Sequence, residues 1–193
     1  MSEYDPTHDD TSHEYPEGHE DPGYHEGTED PYGHGGHTIV THAPDGSTIY
    51  TTDADGDGYA DEVAIDKDSD GNIDVAYQDT DGDHNLDRVV VDSDDDGRVN
   101  AVYSDTDGDG KVDDIQLDRN QDGYVDLHAH DTDGDGKIDT VNVDRDFDGK
   151  EDLRVVDLDE DGKVDYVAQD TNHDGVLDNV QYVDPSANPY ASH

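Results

Sequence analysis

The chain has 193 residues, 55 of them Asp or Glu against 10 Lys or Arg, for a formal net charge of −45. Charge of that sign repels nucleic acid and anionic membrane surfaces, which excludes both as partners. With 28% hydrophobic residues, one Phe, no Trp and no Cys, the composition is that of a chain too poor in apolar surface to offset its own entropy, and it holds neither disulfides nor thiolate zinc sites.

No stretch is apolar enough to span a membrane as a helix. The first residues, "MSEYDPTHDD", have neither a basic start nor an apolar core, so no standard secretory signal is expected from them. Residues 1–36 mix Pro, Gly, His and Glu without an apolar period and are expected to form a solvated tail. Its histidines could hold a transition metal loosely, but no fixed ligand geometry is implied.

Residues 37–52, "HTIVTHAPDGSTIYTT", consist of two β-branched runs around the turn sequence Pro44-Asp45-Gly46. They are expected to form a hairpin, with Val40 opposite Ile49 on one face.

From Asp53 a 13-residue pattern repeats ten times without a slip, to residue 182. Copies 1 to 10 begin at Asp53, Asp66, Asp79, Asp92, Asp105, Asp118, Asp131, Asp144, Asp157 and Asp170, and residues 183–193 are left as a short tail. Asp recurs at positions 1, 3, 5 and 9, Gly usually stands at 6, and an apolar residue usually stands at 8. Gly and Asp are too dense for helix, and no 3.6-residue period exists.

Alternate aspartates let a tightly curled backbone aim several carboxylates at one point. The glycine allows the sharp turn, the carbonyl at position 7 can add an oxygen, and the carboxylate at position 9 closes the shell. An oxygen-only shell of this kind suits calcium, with magnesium second because it demands a stricter octahedron.

The expected ligands follow in chain order. The first three copies supply Asp53, Asp55, Asp57 and Asp61, then Asp66, Asp68, Asp70 and Asp74, then Asp79, Asp81, Asp83 and Asp87. Copies 4 to 6 supply Asp92, Asp94, Asp96 and Asn100, then Asp105, Asp107, Asp109 and Asp113, then Asp118, Asn120, Asp122 and Asp126. Copies 7 and 8 supply Asp131, Asp133, Asp135 and Asp139, then Asp144, Asp146, Asp148 and Asp152. The last two supply Asp157, Asp159, Asp161 and Asp165, then Asp170, Asn172, Asp174 and Asp178. Asn100, Asn120 and Asn172 keep an oxygen but lose a charge, so their sites are expected to be weaker; His84 stands where the other copies have the glycine.

The Asp-x-Asp-x-Asp-Gly-x-x-Asp stretch followed by a short strand resembles the calcium hairpin of FG-GAP and VCBS repeats. Its first nine positions are also similar to the EF-hand loop and the thrombospondin type 3 repeat. The resemblance covers residues 53–182 and implies the ligand assignment and a hairpin at each loop. The chain departs from each family: it has no Glu at position 12, no cysteines, and copies spaced more closely than in an FG-GAP propeller.

The segments between loops, positions 8 to 13, tell which way the chain turns. Odd copies place apolar residues at 11 and 13 (Val63 and Ile65, Val89 and Val91, Ile115 and Leu117, Val141 and Val143). Even copies place them at 10 and 12 (Val75 and Tyr77, Ala101 and Tyr103, Leu127 and Ala129, Leu153 and Val155). A parallel β-solenoid with 26 residues per turn would keep one parity. An antiparallel meander pairing position 1 with 9 in each loop sets 13 opposite 10 and 11 opposite 12, which puts all these residues on one face. The fold expected is therefore all-β, a repetitive antiparallel meander. Asp114, Gln116, His128, His130, Thr140 and Asn142 fall on the other face, which suits water. In copies 9 and 10 the apolar residues Tyr166, Ala168, Val180 and Tyr182 change sides.

An apolar face about ten strands wide is expected to curl on itself, to accept the hairpin, or to meet a second copy or another protein. The function expected is a calcium-dependent structural or interaction module holding about ten ions and folding on binding, outside the cell where calcium is abundant. A calcium store is the alternative. No nucleophile–base set marks an enzyme, and His128 and His130 near Asp114 fit a surface cross-strand cluster better than a catalytic pair.

Overall fold

The computed structural model describes residues 36–190; residues 1–35, nearly all of the expected tail, and 191–193 lie outside the described part. Twelve strands follow in chain order. They are β1 (His37–His42), β2 (Thr48–Asp53), β3 (Glu62–Asp66), β4 (Val75–Gln78), β5 (Arg88–Val91) and β6 (Ala101–Ser104), then β7 (Asp114–Leu117), β8 (Leu127–His130), β9 (Thr140–Val143), β10 (Leu153–Val156), β11 (Tyr166–Gln169) and β12 (Asn179–Tyr182). A single 3-10 turn, Pro185–Ala187, follows the last strand.

All twelve strands join one antiparallel sheet in sequence order. It is a meander, and the solenoid alternative does not form. The register sets Leu117 opposite Leu127 and Ile115 opposite Ala129, and every repeat strand keeps this 13-to-10 and 11-to-12 pairing. Strands β4 to β12 occupy positions 10–13 only, and β3 runs one residue further, to Asp66. Position 9 is tied to the ladder by its backbone, as where Asp113 N–H donates to Ser104 C=O (2.8 Å), whereas position 8, expected in the strand, belongs to the loop.

Two rows of apolar side chains run across one face. Val63, Tyr77, Val89, Tyr103, Ile115, Ala129, Val141 and Val155 are opposite one another in one row, and Ile65, Val75, Val91, Ala101, Leu117, Leu127, Val143 and Leu153 in the next. Most are half-buried, shielded by their lateral neighbours. The other face carries the expected polar centre, but it is apolar at both ends: Ala64, Ala76, Val90 and Val102 near the start, Val156, Tyr166, Ala168 and Tyr182 near the finish. Val156 and Ala168 are only 3% and 5% exposed, and the rings of Tyr166 and Tyr182 lie 5.9 Å apart. The side-switch in copies 9 and 10 thus builds a second small core on the opposite face.

The hairpin forms with a register one residue away from the expected one. Val40 pairs with Tyr50, and Ile49 pairs with Thr41. Ala43 N–H donates to Ser47 C=O (2.8 Å), so Pro44, Asp45 and Gly46 make the turn as expected, with Gly46 at φ +99° supplying the left-handed residue. This shift sends Val40 and Ile49 to opposite faces and lets Ile49 and Thr51 continue the apolar rows opposite Ile65 and Val63. The hairpin extends the sheet at its edge instead of folding over the apolar face.

The pairing is testable by crosslinking in a chain with no cysteine of its own. Tyr103 lies directly opposite Ile115, while Val141 is two strands beyond Ile115, at about 9.6 Å. Tyr103→Cys with Ile115→Cys should oxidise readily within one chain, and Ile115→Cys with Val141→Cys should not, because a disulfide needs Cα atoms closer than about 7 Å. Non-reducing mass spectrometry reads the result.

Candidate metal sites

Each loop is wound around its own carboxylates. In all ten copies the carboxylate at position 1 accepts the backbone N–H of position 6. In all ten the side-chain oxygen at position 9 accepts the N–H of position 2. These two bonds close the loop at its centre and at its mouth.

Copy 5 shows the arrangement in full. Asp105 accepts from Gly108 N–H (2.8 Å) and Gly110 N–H (2.7 Å), Asp107 from Asp109 N–H (3.0 Å), and Asp109 from Lys111 N–H (2.9 Å). Asp113 Oδ2 accepts from Thr106 N–H (2.7 Å), Thr106 Oγ1 (2.9 Å) and Asp107 N–H (3.2 Å). One oxygen from each of Asp105, Asp107, Asp109 and Asp113 then lies within 4.8 Å of the others. Asp113 is 4% exposed, and its Oδ1 is buried without any hydrogen-bond partner.

The carboxylates at positions 1, 3 and 5 converge in copies 1 (Asp53, Asp55, Asp57) and 2 (Asp66, Asp68, Asp70), and those at 1, 3 and 9 in copy 3 (Asp79, Asp81, Asp87). Positions 1 and 9 hold the sheltered carboxylates: Asp66, Asp92, Asp126, Asp144, Asp152, Asp165 and Asp170 are all 5% exposed or less. Positions 3 and 5 sit mostly in solvent. The asparagines behave differently from the aspartates they replace. Asn100 donates its amide to Asp94 (3.0 Å) and Asn120 to Asp122 (3.0 Å), so each also occupies a neighbouring carboxylate.

The loop needs two left-handed residues, not one. Position 6 has positive φ in every copy, including His84 at +75°, but so does position 4, from Gly108 at +76° to Phe147 at +62°. The signal was present in the sequence as the Gly at position 4 in copies 1, 3, 5 and 7. Reversal at each strand sends odd and even loops to opposite edges, so loop n lies beside loop n−2, about two strand spacings or 9.6 Å away. Where position 4 is not Gly, its side chain reaches that neighbour. Ser69 donates to Gly46 C=O (2.6 Å), Gln121 donates to Asp94 (2.5 Å), and Phe147 lies under Arg119 at 5.8 Å. Glu160 shares a hydrogen bond with Asp135, which pushes its carboxyl up to about 7 against the pull of Lys137. His173 reaches Asp146 at 3.0 Å. Burial, then the charges of Asp70, Asp68 and Asp74, push the carboxyl of Asp95 up, so an extra acid crowds loop 2. None of these cross-loop contacts is visible in a single 13-residue copy.

Neither a family model, a curated protein nor a solved structure matches the chain. Fold and site together define a tandem-repeat all-β protein whose loops gather carboxylates at both edges of one sheet.

The position-1 carboxylates set an acid limit. For Asp79, Asp92, Asp131 and Asp170, burial raises the carboxyl, but the converging backbone N–H groups together outweigh it and hold each below 3.8. A carboxyl lowered in the folded state contributes stability above its unfolded value and loses it as pH falls through the folded one. With a divalent cation present, the β signal in circular dichroism should hold from neutral pH to about pH 4 and collapse below it.

Proposed function

We propose that the chain is a calcium-dependent structural or interaction module in which the loops bind about one ion each and the sheet folds on binding. The observation that carries this reading is the buried, unpartnered Oδ1 of Asp113 inside a group of four converging carboxylates. A buried anionic oxygen with no donor is strongly unfavourable unless a cation meets it. Asp66, Asp126 and Asp157 have an unpartnered buried Oδ1 as well. The donor set of these loops is all oxygen, which fits calcium and disfavours softer ions. Without a cation the gathered carboxylates repel one another around a thin apolar layer, so the ion acts as a folding cofactor. Ten calcium ions would neutralise somewhat less than half of the formal net charge of −45, leaving the protein soluble.

Modest sites of this kind fill most readily outside the cell, and the half-buried apolar face would be the surface for a second copy or another protein. A calcium store is the competing reading, favoured by the number of loops. Cooperativity separates the two, because the shared sheet couples the sites of a module whereas store sites fill independently.

Calcium titrated into chelator-treated protein should convert a disordered circular dichroism spectrum to a β-rich one in a steep transition, with magnesium much less effective at equal concentration. A β spectrum that survives excess chelator defeats the reading. Within the loops, Asp109→Ala should raise the calcium midpoint more than Asn120→Ala. The first removes a charged ligand from a complete group, and the second a neutral one from a weaker loop. Equal shifts would mean that these side chains are not ligands.

A further inference from the structure

In loop 8 a histidine joins the acids: Asp146, Asp152 and His173 each bring one ligand atom within 4.8 Å of the others. His173 belongs to loop 10 and is brought in by the next-but-one stacking along the edge. Its Nδ1 lies 3.0 Å from Asp146 Oδ2 and 3.7 Å from Asp152 Oδ1.

Asp152 has a side chain only 8% exposed. Its Oδ2 is held by Arg145 N–H (2.8 Å) and Asp146 N–H (3.1 Å), while its Oδ1 has no hydrogen-bond donor among the described residues and is directed toward the imidazole. A sheltered carboxylate oxygen, an exposed carboxylate and a ring nitrogen therefore face one point. Imidazole is a poor ligand for calcium or magnesium but a good one for zinc and its neighbours in the transition series. Imidazole nitrogen and carboxylate oxygen are both zinc ligand types, and three protein ligands with water in the fourth position complete a tetrahedral site.

We propose that loop 8 binds a divalent transition ion of the zinc class through Asp146, Asp152 and His173, joining loops 8 and 10. The inference rests on the calcium reading, since calcium in the other loops orders the edge that presents His173 to loop 8. The other cross-loop histidine, His84, meets only Asp57 (3.3 Å) and stacks on Tyr59 at 4.1 Å, which leaves it a single carboxylate partner.

The test is zinc uptake by the calcium-saturated full chain, followed by titration calorimetry and equilibrium dialysis after folding has been checked by circular dichroism. The tail also contains histidines, so the readout is a difference between variants. His173→Asn keeps a residue that tolerates φ +60°, and His173→Gly restores the glycine found at this position in copies 1, 3, 5 and 7. Both should bind one zinc equivalent fewer than the parent, while His84→Gly should bind the same number. Unchanged uptake in folded His173 variants overturns the loop 8 site and leaves the calcium reading intact. A chain that stays unfolded at saturating calcium overturns both.

Discussion

Repulsion between carboxylates is the constraint on which the rest of this structure depends. Each strand from β3 onward is entered through a turn in which the acidic side chains at positions 1, 3, 5 and 9 are drawn together, opposed mainly by backbone N–H groups, with a threonine hydroxyl or a lysine added in some loops. Those N–H groups engage both oxygens at position 1, as Gly108 does for Asp105 Oδ1 and Gly110 for Asp105 Oδ2, but only Oδ2 of Asp113 at position 9, and they fix the directions of the carboxylates. The loop is thus shaped by hydrogen bonding and left electrostatically incomplete. Its geometry is ordered at the cost of concentrating negative charge, a conflict that the proposed divalent ion would resolve.

The thinness of the apolar layer follows from the same constraint. With nine of every thirteen residues committed to the turn, only four are left for each strand, too few for a thick core. The rows through Val75 and Ala129 are sheltered by lateral contacts alone, and the second core around Val156 and Ala168 is confined to the last strands. Burial of this extent gives the sheet a register, since a one-residue slip would exchange the valines of the apolar face for the histidines of the other. It contributes much less to stability than a packed sandwich would. Register comes from the side chains, and on the proposed reading most of the stability would come from cation binding in the loops.

Stacking of alternate loops makes each edge a continuous structure. A residue at position 4 acts on a loop 26 residues earlier, so a change at Gln121 is felt at Asp94 and one at His173 is felt at Asp146 and Asp152. Odd loops, mostly with glycine at position 4, meet their neighbours through other positions, as where Lys111 Nζ donates to Asp135 C=O (3.0 Å). Even loops carry larger residues at position 4 and make their contacts there. The two edges of one sheet therefore differ in chemistry although their repeats share one spacing, and coupling along an edge is what makes steep filling of the sites physically reasonable.

The sequence alone determined the meander, because the parity of the apolar residues in Ile115 and Leu117 against Leu127 and Ala129 permits a shared face only when the chain reverses at every loop. It determined the loop grammar for a similar reason, since carboxylates spaced two apart with a left-handed residue between them curl locally, with no help from distant residues. The hairpin register was not legible, because a turn sequence such as Pro44-Asp45-Gly46 accommodates turns of different length, each with its own register. The left-handed demand at position 4 was legible only in the glycines of copies 1, 3, 5 and 7, since residues as different as Ser, Phe and His meet it in the other copies. The grouping of Asp146 and Asp152 with His173 was decided by tertiary structure alone: it joins residues more than twenty positions apart, and such proximity exists only once two intervening reversals have stacked one loop on the next but one.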